Sequence, residues 1–242
     1  MTDDFYVGYQ PRAPESLRRF LRPRVAALLA GAALLALVLV AGQHPFEVAT
    51  FEFGMPRAFA GRLELVPAPT LLTDAGRRML LVEQGKHGLS VDPALDGRRV
   101  GLMGALIYRD DQTMLEVVPD SLQASGAEAP APPAAAQELG TQTLRGEIVD
   151  SKCFLGVMNP GHTKPHRDCA VRCLSGGIPA VLLVRDDQGA SACYLLLSPE
   201  GRLIGRELLD KVAEPVEATG AVARYDNLLV LRVRPADIRR LD

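Results

Sequence analysis

The sequence predicts a mostly β protein: one N-terminal transmembrane helix followed by two tandem small OB-like barrels, the second carrying a short helix with cysteine and histidine. Three observations lead there. One long apolar run stands near the start of the chain, short alternating segments fill the rest, and the second half repeats features of the first.

The apolar run is Val25–Gly42, eighteen residues without a charge or a polar side chain. At 1.5 Å per residue a helix of this length covers roughly 27 Å, enough to cross the hydrocarbon. Before it lies a basic head, residues 1–24, with Arg12, Arg18, Arg19, Arg22 and Arg24 in its second half. After it, Gln43 to Pro56 holds no lysine or arginine. The positive-inside rule then leaves the head in the cytoplasm and the remainder translocated, as in the inner membrane of a bacterium with periplasmic domains. A cleavable signal peptide is the rival reading. Its apolar stretch would be shorter, and Leu39-Val40-Ala41 is a poor small-x-small cleavage site.

Residues 43–120 read as the first module. Glu47–Phe53 and Ala58–Val66 alternate apolar and polar residues, and Arg78–Val82 is a short apolar run. Arg99–Tyr108 and Thr113–Val118 form a hairpin across Asp110-Asp111. Residues 121–142, rich in alanine and proline, read as a linker. The second module, 143–242, echoes the first. Phe59-Ala-Gly61-Arg-Leu matches Leu144-Arg-Gly146-Glu-Ile, Val100 to Gly104 matches Val216 to Gly220, and Arg78–Val82 matches Pro179–Val184. Glycine at equivalent points inside strands suits small barrels, where a strand must coil sharply. A single larger β-sandwich is the alternative.

Net charge is −2, there is no tryptophan and aromatic residues make up 5% of the chain. These values give no electrostatic or stacking platform for nucleic acid. Dinucleotide, nucleotide-phosphate, haem-attachment and zinc-protease motifs are missing, and no catalytic carboxylate pair stands out, so a non-enzymatic role is expected. His87, between Lys86 and Gly88, reads as a solvated turn residue.

The chemistry is concentrated between Asp150 and Pro179. Three of the four cysteines and two of the four histidines lie there, in the spacing C-x15-C-x3-C. Strand Leu144–Val149 delivers Cys153 just past its end. Thr163 is a candidate N-cap for a helix beginning at Lys164-Pro165, and Ser175-Gly-Gly with Pro179 stops it. On that helix His166, Cys169 and Cys173 sit at i, i+3 and i+7, one stripe. Cys153 approaches from the strand, so the four side chains can meet.

A Cys3His set suits zinc or copper(I). Around it Met158 is a candidate thioether, His162 a substitute imidazole, and Asp150 and Asp168 are candidate outer carboxylates. Lys152, Lys164, Arg167 and Arg172 would favour thiolates. The spacing is not that of common zinc fingers. A disulfide staple competes: Cys153–Cys169 or Cys153–Cys173 would close a loop of about 15–20 residues, worth roughly 3 kcal/mol. An exchangeable thiol pair, Cys169 and Cys173, is the third option. Cys193 reads as a buried small hydrophobe on a strand, with pairing to a helix cysteine as the alternative.

Gly146-Glu-Ile-Val-Asp150-Ser-Lys-Cys153-Phe154, then His166-Arg-Asp-Cys169-Ala-Val-Arg-Cys173 and Gly176-Gly-Ile-Pro179, resembles a pattern of bacterial membrane-anchored or exported proteins with no established function. The resemblance covers Gly146 to Pro179 and implies membership in that group without an activity. The expectation is therefore a non-catalytic accessory, metal-binding or redox-linked protein with an envelope protein partner. Two alternatives stand beside it. One is a membrane-tethered thiol oxidoreductase or copper-transfer protein, since C-x3-C is similar to the motif of copper-assembly proteins. The other is a disulfide-stapled structural subunit of a membrane complex.

Overall fold

The computed structural model describes residues 13–43, 49–127, 129, 131, 135–186 and 190–241. Residues 1–47 and 48–242 form two separate units.

In the first unit the apolar run is helical, and the helix begins ten residues before it: α1 spans Glu15–Ala41. Its 27 residues make it about 40 Å long, and it is long and apolar enough to cross a membrane. Pro23 lies in its interior, and the Arg24 guanidinium sits 3.4 Å from the centre of the Phe20 ring.

The second unit contains both barrels. The first is built from β1 (Ala49–Phe51), β2 (Arg57–Glu64), β3 (Thr70–Leu72), β4 (Arg78–Glu83), β5 (Arg99–Arg109), β6 (Gln112–Val117) and β7 (Gln123–Ala124). Five of these close a ring in the order β2-β3-β4-β6-β5, with β5 returning to β2 and β4 parallel to β6. Strands β1 and β7 are short additions along β5. The second barrel uses β8 (Gln137–Asp150), β9 (Ala180–Arg185), β10 (Ser191–Leu197), β11 (Pro215–Tyr225), β12 (Leu228–Arg232) and β13 (Ile238–Arg240). It closes as β8-β9-β10-β12-β11 back to β8, with β10 parallel to β12. Both rings follow the strand order 1-2-3-5-4-1, the order of an OB-like barrel.

The matched glycines mark where the barrels are tightest. A Cβ on Gly61 would lie 2.4 Å from the Leu72 carbonyl oxygen, and one on Gly146 would lie 2.2 Å from that of Leu183. Each glycine is in the first strand of its ring, pressed against the second. The same topology corrects one expected match. Arg78–Glu83 is the third strand of its ring, whereas Ala180–Arg185 is the second of its own; the true counterpart of β4 is β10. Runs of consecutive apolar residues look alike whichever buried strand they form.

The segment expected as a linker also differs. β7 pairs with β5, and β8 already begins at Gln137, where its polar residues pair with β11 from Arg224 onward. Of the expected strand Glu47–Phe53, residues 47 and 48 lie outside the described residues. The barrels are not beads on a string. One buried cluster takes Leu80, Val82, Ile107 and Met114 from the first and Phe154, Leu183, Leu195 and Val230 from the second.

Buried cations cross the same seam. Arg78 donates to Asp226 and, through its backbone, to Asn227. Arg109 donates to the Phe154 carbonyl at 2.8 Å and lies over the Phe154 ring. Lys152 pairs with Glu116 and donates to the carbonyls of Glu83 and Gly85. A buried charge is tolerated only when its partners are in place, so these contacts hold the barrels in one register.

Candidate metal centre

The segment between β8 and β9 holds the cysteine and histidine cluster. Strand β8 ends at Asp150, and the chain turns at once into a wide helical turn, Cys153–Val157. The Asp150 carboxylate accepts from the Cys153 backbone N–H at 2.8 Å, which fixes that turn. Further on, Lys164–His166 is a single 3-10 turn leading into α2 (Arg167–Ser175). Thr163 is not the cap the sequence suggests. Its φ is +66°, and its hydroxyl donates to the His162 carbonyl rather than to the helix. The helix is shorter than expected, yet His166, Cys169 and Cys173 keep one stripe.

Three sulfurs and one imidazole are brought together. Cys153 Sγ lies 3.9 Å from Cys169 Sγ and 4.0 Å from Cys173 Sγ. Ligand atoms of Cys153, His166 and Cys169 are all within 4.8 Å of one another, as are those of Asp150, Cys153 and Cys173. The four cysteines are free thiols. A disulfide needs about 2.05 Å between sulfurs, whereas zinc at about 2.3 Å from each sulfur sets a tetrahedral edge of about 3.8 Å. The two separations from Cys153 lie close to that edge and far outside a disulfide bond.

His166 is 4% exposed, and its Nε2 lies 2.8 Å from a carboxylate oxygen of Asp150. Its Nδ1 is buried without a partner. A buried ring nitrogen left bare costs free energy, about 1–3 kcal/mol. Carboxylate on one nitrogen and nothing on the other is the arrangement by which proteins orient an imidazole toward a metal.

The cation at the sulfurs is not one the sequence points to. Lys152 is taken by Glu116, while Lys164 and Arg167 pair with Glu214. Lys86, from the first barrel, donates to Cys169 Sγ at 2.8 Å and to Cys173 Sγ at 3.5 Å. Its loop is seated by Gly88 N–H donating to the Gly176 carbonyl. A Cβ on Gly176 would fall 1.8 Å from the Lys86 carbonyl oxygen, so the Gly176-Gly177 pair that ends α2 also admits this loop. That second use of the two glycines, facing Gly85-Lys86-His87-Gly88, was the available signal. His87 itself is exposed.

The charges are divided unevenly. The hydrogen bond between Cys153 and Cys173 pushes the Cys153 thiol up, burial adding to it. The same bond pulls Cys173 down, against burial and with help from Lys86. Lys86 is pushed up, first by its bond to Cys169. The result is a sulfur cluster with the Lys86 ammonium held beside it.

Of the outer candidates, only Asp150 reaches the centre. Asp168 is exposed, and Met158 is 44% exposed. His162 faces Arg185, its Nε2 3.2 Å from the guanidinium, and meets the Phe154 ring edge-on. Cys193 sits in β10 within the shared core, 5% exposed, its thiol pushed up to about 12 by burial.

No family model, curated protein or solved structure matches this chain.

Proposed function

We propose that this is a single-pass membrane protein that holds one zinc ion in an extracytoplasmic site of Cys153, His166, Cys169 and Cys173, as a non-catalytic accessory protein of the cell envelope. The observation that carries the reading is the buried His166: Asp150 holds its Nε2, its Nδ1 has no partner, and a ring nitrogen lies within 4.8 Å of the sulfurs of Cys153 and Cys169. Zinc is favoured over copper(I) by the mixed sulfur and imidazole set and by sulfur separations near a tetrahedral edge. The arginines before α1 and their lack just after it support the orientation.

A second reading draws on Lys86. A lysine donating to Cys169, the one sulfur of the three that is not buried, sets a cation beside an accessible sulfur, which suits thiol exchange or copper transfer. Among the described residues the βαβ setting of thioredoxin-like enzymes has no counterpart, which keeps this reading second.

The test is to purify the full chain from membranes in detergent and measure metal content and free thiols on one sample. One zinc per chain, with three thiols exposed to alkylation only after chelation, is the expected result. Metal-free protein with two of its thiols oxidised would replace the zinc reading with a disulfide staple.

A further inference from the structure

The first barrel presents two large apolar side chains to water on one tight turn. Phe53 is 79% exposed and Met55 63% exposed. The turn is built rather than loose. Glu52 N–H donates to the Leu106 carbonyl, Met55 N–H donates to the Glu52 carbonyl, and Arg57 pairs with Glu52 at 3.0 Å across its base. Gly54, at φ +74°, makes the reversal that puts Phe53 and Met55 outside. The Phe53 ring is braced edge-on by Phe51, 5.4 Å between centres.

We propose that this turn docks on the bilayer, with Phe53 and Met55 entering the interface between headgroups and acyl chains. The proposal rests on reading α1 as the membrane anchor. Gly42 to Glu52 is eleven residues, so the turn is tethered within about 40 Å of the end of α1 even at full stretch. A bilayer surface is therefore always within reach, at an effective concentration no free partner matches. Aromatic and thioether side chains on a rigid tip, with an arginine at its base, suit that boundary.

Strand β1, which leads into the turn, runs along β5 and packs on the turn that carries Cys153. A Cβ on Gly156 would lie 2.4 Å from the Thr50 carbonyl oxygen. The turn that carries Cys153 is thus packed on the strand that leads into the proposed docking tip.

The chain has no tryptophan, so Phe53→Trp supplies a unique fluorophore at a site that tolerates it. The full chain is reconstituted into vesicles of phosphatidylcholine brominated at a shallow acyl position, beside a Glu200→Trp control in an exposed turn of the second barrel. Docking predicts strong quenching and a blue-shifted emission for Phe53→Trp and neither for Glu200→Trp. Unquenched emission from Phe53→Trp in protein that floats with the vesicles overturns the docking while leaving the anchor intact. Equal quenching of both variants overturns a tip-specific contact. Blue-shifted emission without bromine quenching also overturns it, in favour of burial against the protein itself or a second copy of the chain. Failure to float at all removes the anchor and the docking together.

Discussion

The Nζ of Lys86 lies 2.8 Å from the Sγ of Cys169, although one belongs to the first barrel and the other to the helix inserted in the second. The cluster is thus completed across the seam between barrels, and the docking of the barrels is a condition for its charge balance. Lys86→Met removes a charge-assisted bond without adding bulk. It is expected to weaken zinc binding about tenfold, read by competition with a chromophoric chelator.

Asp150 orients His166 and holds the Cys153 backbone. Asp150→Asn keeps an oxygen for the Cys153 N–H but loses the charge that sets the imidazole. Zinc affinity should fall roughly 10–100-fold, with the far-ultraviolet circular dichroism unchanged. Equal affinity in variant and parent would remove Asp150 from the metal-site account.

Lys152 and Glu116 are paired with side-chain exposures of 3% and 11%. Lys152→Met leaves a buried carboxylate uncompensated and should cost about 3–5 kcal/mol in urea unfolding. The double variant Lys152→Met, Glu116→Leu should regain most of that. A double variant no more stable than the single one would show that the pair is not the source.

Cys193 gives a pH dependence independent of the metal ligands. Burial pushes its thiol up to about 12 in the folded chain, against about 8.5 for an unfolded cysteine. Between those values the native state holds a proton that the unfolded state has released, so stability is fully present below about 8.5 and falls as pH rises toward 12. Cys193→Ala should flatten that alkaline limb and leave zinc content unchanged, read from Tm against pH and from metal analysis.

Much of the fold was legible because its signals are local. Alternation marked the strands, and a glycine at Gly61 and at Gly146 marked where each ring is tightest. The equivalence of β4 to β10 rather than β9 was not, because it depends on ring closure between distant segments. The early start of β8 at Gln137 was hidden for the same reason: polar, half-exposed residues become a strand only when β11 supplies the partner. At the site, spacing was enough to place Cys153, His166, Cys169 and Cys173 in one neighbourhood. It could not place Lys86, more than eighty residues from Cys169 and brought there by packing. Nor could spacing separate Asp150, which lies at the strand end within hydrogen-bond distance of His166 Nε2, from Asp168, which faces solvent.

The most direct measurement is X-ray absorption at the zinc edge of the purified, metal-loaded chain. The account predicts three sulfur neighbours at about 2.3 Å and one nitrogen at about 2.0–2.1 Å, with the nitrogen lost in His166→Ala. A shell of oxygen and nitrogen alone, or one unchanged by His166→Ala and Cys153→Ser, would contradict it.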